Sequence, residues 1–163
     1  RITTIYEGTT GIQANDLIGR KVLRENGATL RELIVEMRGV GAALAATESL
    51  RPLAERLEED IAALERALDW ILANGKEHMA AVLAGAVPFL HLLGTVCGGW
   101  QLARVALAAT NPGSAERHAP DYLRGLVELA QFHAHALGVQ APALAAAIVG
   151  AGDTVSASEF ALG

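Results

Sequence analysis

One acidic side chain in this sequence has a setting that suggests chemistry. Glu7 follows an aromatic residue, Tyr6, and precedes Gly8, Thr9, Thr10 and Gly11, in a turn at the mouth of a helical pattern. A carboxylate on such a turn is free to point into a cavity, where loss of water would raise its pKa toward the range in which it takes up a proton. The position also has a simpler use, because a carboxylate beside a helix N-terminus is stabilised by the helix dipole. For Glu-Gly-Thr alone the simpler use suffices. Other candidates are weaker. His133 and His135 are two apart on a helix and point away from each other, and Cys97 and His91, six apart, are also on different faces. No metal site is expected. Glu58, Glu59 and Asp60 read as a solvated acidic face. No glycine-rich phosphate loop follows a strand, because the pattern contains no strand.

The elements that must position Glu7 are helices. Apolar residues make up 52% of the 163-residue chain and aromatics only 4%, with Ala and Leu dominating, which suits helices packed through small side chains. The net charge of −5 argues against a nucleic-acid footprint. A single cysteine excludes an intrachain disulfide and fits a reducing, cytoplasmic setting. The opening "RITTIYEGTT" has no signal-peptide features and reads like the middle of a larger protein, so the chain is expected to be a C-terminal piece.

Residues 1–11 carry no periodic pattern and are expected to be loop. Ile12, Leu17, Ile18, Val22 and Leu23 fall near helical spacing, with Gly27 placed to stop that helix. Thr29 and Glu32 have the spacing of a capping box, ahead of a stripe of Leu30, Leu33, Ile34, Met37, Val40, Gly41 and Leu44. Ser49 and Pro52 open a third helix, whose seam of Leu53, Leu57, Ile61, Leu64, Leu68, Ile71 and Leu72 runs to "NGK" at 74–76.

Residues 78–103 contain no Asp, Glu, Lys or Arg, and Gly94 and Gly98 have close-packing spacing. That length could span a bilayer. The favoured expectation is a helix buried on all sides of a bundle and kinked at Pro88. After a break at "TNPGS", residues 119–137 form a helix with Leu123, Leu126, Val127, Ala130, Ala134 and Leu137 inward. A short helix over 142–149 and a weakly ordered tail complete an all-α, antiparallel bundle of five to six helices preceded by a short loop.

The longer string "IYEGTTGIQ" favours the chemical use of Glu7. It resembles the signature of the flavin-dependent acyl-CoA dehydrogenases, in which such a run joins the last two helices of the catalytic C-terminal domain. Ile5, Tyr6, Glu7, Gly8, Thr9, Ile12 and Gln13 match in order and spacing, while Gly11 stands where many members carry Gln. "GRKVLRENG" and "AGAVPFL…GTVCGGWQLARVAL" resemble the extra C-terminal bundle of a bacterial subset of that family. The resemblance implies that residues 1–27 are the base loop and last helix of the dehydrogenase domain and that residues 28–163 are the additional bundle.

By the same resemblance Glu7 is the base that removes the α-proton of an acyl-CoA thioester while hydride leaves Cβ for FAD. Gly8 allows close approach of the substrate thioester, and Thr9, Thr10 and Gly11 contact the flavin. Tyr6 packs against the wall of the site. The flavin-binding β-domain is not in this chain, so the fragment is expected to be inactive alone and not to bind FAD. The parent is expected to form a homo-oligomer, to pass electrons to an electron-transfer flavoprotein, and to bind neither nucleic acid nor membrane. Two other readings stay open at this point. One is a stand-alone helical interaction module, and the other is a membrane helix bundle resting on residues 78–103.

Overall fold

The computed structural model of the chain describes residues 9–157. Among the described residues there are helices and turns and no strand, in line with an all-α bundle. The first helix, α1, begins at Thr10, two residues earlier than the periodicity suggests, and runs to Asp16 before continuing in π winding over Leu17–Leu23. Its inner positions are Ala14, Ile18 and Val22, all buried. Ile12, counted above with the apolar set, is 69% exposed. It lies two residues before Ala14 and therefore on the opposite side of the helix.

Gly27 ends α1 as expected, with φ at 73° and its N–H donating to the Val22 carbonyl at 2.8 Å. The same glycine is the residue before α2 (Ala28–Ala45), so the turn between the helices is too tight for a separate Thr29 cap. Thr29 instead lies inside the first turn, and its hydroxyl donates to the Glu25 carboxylate. The expected capping box with Glu32 does not form. The α2 stripe is otherwise as foreseen, with Leu30, Ile34, Met37 and Leu44 buried.

A 3₁₀ turn at Glu48–Leu50 contains Ser49 and leads into α3 (Arg51–Asn74), where Pro52 occupies the first turn. Pro loses nothing there, because the first N–H groups of a helix have no intrahelical acceptor. Leu53, Leu57, Ile61, Leu64, Leu68 and Ile71 are all buried. Full burial of a Leu or Ile side chain contributes about 1.5–3 kcal/mol, so this seam is the main source of cohesion. α2 runs antiparallel to α3, as the descending ion pairs show. Arg31 reaches Asp69 at 2.7 Å, and Arg38 bridges Glu65 at 2.6 Å and Glu58 at 3.0 Å. These exposed pairs fix register more than they add stability.

The uncharged stretch is two helices, α4 (Met79–Ala84) and α5 (Ala86–Ala109), broken at Gly85. Pro88 causes the break rather than a kink at its own position. It has no N–H for the Ala84 carbonyl, and its ring excludes that carbonyl from a continuous helix. The gap is used: Ile148 packs so close to Gly85 that a Cβ there would lie 3.1 Å from it. α5 is buried along one face only, through Ala86, Phe89, Leu92, Val96, Ala103 and Ala106, whereas His91, Gly94, Gln101 and Arg104 are exposed. The expectation of burial on all sides is therefore corrected. A Cβ added at Gly94 would also meet nothing within 4 Å, and the close approach falls on Gly98 and Gly99 instead.

"TNPGS" is a break containing a one-turn helix, α6 (Pro112–Ala115), whose Asn111 cap accepts from the Gly113 N–H at 2.9 Å. α7 (Pro120–Ala136) starts at Pro120 and buries Ala130, His133 and Ala134, with Leu123, Leu126 and Val127 half-buried and Leu137 exposed. His133 thus takes an inward position that the sequence pattern assigned to Leu137. After the Gly138–Gln140 turn, α8 (Ala141–Ala157) extends well past Val149 into the stretch expected to be a tail. Gly150 costs helix stability but does not stop the helix. α8 packs on α3, α4 and α5, α7 packs on α5, and α1 also packs on α5. The buried apolar side chains form one core, to which Ala14, Ile18 and Val22 of α1 belong. By length and composition alone, two described segments could cross a membrane: Ala86–Ala109 and Pro120–Gly150. The second of these contains the Gly138–Gln140 turn.

Candidate functional site

Glu7 and Gly8 lie outside the described residues. Thr9, Thr10 and Gly11, the residues that follow them, form the start of α1, and the bundle holds this start through Ala14 and Ile18 against its core. Thr9 sits at the N-cap position without a side-chain capping bond to the helix. Thr10, Gly11, Ile12 and Gln13 are all exposed. The first N–H groups of a helix have no acceptor within it and carry its positive dipole end, which suits a phosphate oxygen. Among the described residues, a Cβ added at Gly11 would meet nothing within 4 Å. The residues present therefore fit the diphosphate of a flavin approaching from outside.

Beside the π segment lies an open, mainly apolar cavity of about 370 Å³, lined by Leu17, Val22, Leu30, Leu33 and Leu93 with Lys21 and Glu25 at its edge. Thr29, also on its lining, is engaged with Glu25. No cluster of three or more metal-ligating side chains occurs among the described residues.

A polar cluster missed in the sequence lies on the other side of the bundle. Asp60 is only 2% exposed, which corrects its placement on a solvated acidic face beside Glu58 and Glu59. The step from Leu57 to Asp60 and Ile61 keeps it on the inner seam of α3. Arg56 follows it inward. Its Nε donates to Asp60 Oδ1 at 2.8 Å, and Nη2 lies 2.7 Å from the same oxygen without making a hydrogen bond of its own. Nη1 pairs with Glu59 at 2.7 Å. Gly138 is required here, since a Cβ would stand 2.7 Å from Asp60 Oδ2.

His133 lines the same small cavity, together with Gly99 and Ala103. Its ring rests on Gly98 and Gly99, where added Cβ atoms would fall 3.1 and 3.2 Å from it. Burial pushes Asp60 up to about 6 despite the neighbouring Arg56, and pushes His133 down. The cavity is about 20 Å³, room for one water and no substrate. This is a structural polar core. Cys97 is half-buried and its thiol is pushed up by burial, the setting of an unreactive cysteine.

The family model described as acetyl-CoA dehydrogenase C-terminal like matches residues 28–159. The 3-methylmercaptopropionyl-CoA dehydrogenase of Ruegeria pomeroyi is 40% identical over 95% of this chain and 26% of its own length. The broad-specificity linear acyl-CoA dehydrogenase FadE5 of Mycobacterium tuberculosis is 32% identical over 82% of this chain and 23% of its own length. The chain spans about a quarter of the length of these relatives.

Proposed function

We propose, because the chain belongs to the acetyl-CoA dehydrogenase C-terminal-like family, that it is the C-terminal part of an oxidoreductase that desaturates an acyl-CoA thioester between Cα and Cβ. In this reading residues 1–27 complete the dehydrogenase domain and residues 28–163 are the added bundle. Glu7 takes the α-proton. Gly8, without a Cβ, lets the thioester lie close to the backbone. Thr9, Thr10 and Gly11 hold the flavin diphosphate with first-turn N–H groups. FAD, when bound, supplies the acceptor for the hydride that leaves Cβ. The α-proton is weakly acidic, so the work of this chain is to keep the Glu7 carboxylate poised and dry until the substrate is in place.

The observation that carries the reading is the run from Ile5 to Gln13, seven of whose nine residues match the family turn and whose second half leads into an exposed, anchored helix start. The substrate class follows from relatives that are named as acyl-CoA dehydrogenases. Transfer of electrons to an electron-transfer flavoprotein, assembly as a homo-oligomer and a cytoplasmic location complete the proposal. The 163-residue chain by itself, without a flavin domain, is proposed to be inactive.

The test is Glu7→Gln in the complete enzyme. Gln keeps the shape and hydrogen-bonding reach of Glu but cannot accept the proton. Reduction of the bound flavin by acyl-CoA, followed by stopped flow, is expected to slow by at least about 10²-fold, the lower end of what a positioned base contributes. Flavin content and acyl-CoA affinity are expected to change little. A variant whose flavin is reduced at near the wild-type rate would place the base elsewhere.

A further inference from the structure

Three polar groups meet at the small cavity between α3, α5 and α7, and each has bonding capacity left over. Asp60 is 2% exposed and His133 8%. Arg56 Nε donates to Asp60 Oδ1, which leaves Oδ2, under Gly138, without a donor among the described residues. Arg56 Nη2 is buried and makes no hydrogen bond. The His133 imidazole, which lines the cavity, has neither a hydrogen bond nor an ion pair among the described residues. Buried polar groups in folded proteins are almost always paired, so three such atoms around one cavity call for a common partner.

The size of the cavity, about 20 Å³, limits that partner to one water. Its chemistry fits as well. A water accepts from Arg56 Nη2 and donates to Asp60 Oδ2 and to an unprotonated nitrogen of His133, and three hydrogen bonds are the usual number for a buried water. A metal cation would stand against the Arg56 guanidinium, and a halide would stand against the Asp60 carboxylate. The other charge at the joint is Glu59, paired with Arg56 Nη1. The wall from α5, Gly99 and Ala103, is uncharged, as is the Gly138–Gln140 turn, and Glu128 and His135 of α7 are exposed. Burial lifts Asp60 to about 6 and lowers His133, which brings an acid and a base into one range. Groups matched in this way titrate as a pair when they are linked.

We propose that one bound water, held by Arg56, Asp60 and His133, joins α3 to α7 and lets Asp60 and His133 share a single proton. The site does not depend on the dehydrogenase chemistry.

A pH titration of the full chain by nuclear magnetic resonance tests the shared proton, following the Asp60 carboxyl carbon and the His133 ring. The ring signals are identified by their loss in His133→Gln. In wild type both groups are expected to shift in the same two steps. Asp60→Asn is expected to remove the upper step from His133 and leave one. The reciprocal variant, His133→Gln, is expected to reduce Asp60 to one step, and it reads the same link should Asp60→Asn not fold. A single step for each group in wild type, or a His133 curve unchanged by Asp60→Asn, overturns the sharing. A crystal structure of the chain grown near pH 6 tests the water. A density peak about 2.7–3.2 Å from Asp60 Oδ2, His133 and Arg56 Nη2 is expected. An empty cavity, or a peak that turns into an anomalous bromide site on soaking, overturns the water.

Discussion

Burial acts on Asp60 and His133 in opposite directions along the pH axis. Asp60 is held at about 6, above the 3.8 of a free Asp side chain, so the folded state takes up its proton first. Its contribution to stability is full below about pH 3.8 and is lost as pH rises through about 6, a difference on the order of 3 kcal/mol. His133 is held below the 6.5 of a free imidazole, so its contribution is present above that pH and is lost as pH falls. The two tendencies oppose each other between about pH 4 and 6.5, and single variants separate them. Relative to the double variant Asp60→Asn/His133→Gln, the chain carrying only His133→Gln is expected to gain stability on acidification. The chain carrying only Asp60→Asn is expected to lose stability on the same comparison. Urea unfolding at a series of pH values measures both, and parallel profiles for the single and double variants would refute the assignment. Sequence pattern hides this pair because Asp60 belongs to a run of three acids, and only the inward phase of the third, next to Ile61, marks it as different.

At the scale of elements, two glycines make opposite predictions. Gly27 adopts φ 73° and an added Cβ would lie 2.9 Å from the Leu72 side chain. Gly27→Ala is expected to cost at least about 1–2 kcal/mol, since the left-handed conformation alone costs that much for a residue with a Cβ. Gly39, inside α2, has no such role, since an added Cβ there would meet nothing within 4 Å. Gly39→Ala is expected to stabilise the chain by about 0.5–1 kcal/mol through helix propensity. Thermal or urea denaturation of the two variants gives the comparison directly, and equal effects would mean that the α1–α2 turn is not constrained as described. The seam of α3 and the stripe of α2 are legible in the sequence because Leu, Ile and Met recur there at helical spacing. The break at Gly85 and the cradle at Gly98–Gly99 are not, because an uncharged run of small residues has no polar side to give its phase. The length of α8 is hidden for a related reason: glycines near its end look like a stop, yet packing of Ile148 and Ala145 holds the helix in place. Of the candidate site, the motif is legible from residue identity alone, whereas the openness of the helix start at Gly11 depends on where the other helices run.

For the molecule as a whole, cohesion is centred on α3, which touches α1, α2, α4, α5, α7 and α8 through its several faces. Removing side-chain volume there should therefore be felt throughout. Leu64→Ala is expected to lower stability by about 2–5 kcal/mol. Hydrogen exchange should be slowest in α3 between Leu57 and Ile71 and faster near the start of α1, because opening the former requires separating most of the bundle. Similar protection in both segments would contradict this order of stability.

The π winding of Leu17–Leu23 has a consequence for how α1 tolerates changes in length. An α-helix advances about 100° per residue, so positions four apart drift steadily around its circumference. A π segment absorbs one surplus residue, and this lets Ala14, Ile18 and Val22 stay on one side of the helix. The segment works as a vernier between the bundle and the residues before it. Deleting the exposed Gly19 would let the remaining residues wind as ordinary α-helix with Thr10 still at the same clock position. Deleting a residue between Thr10 and Asp16 offers no such slack, and would turn whatever precedes it by about 100°.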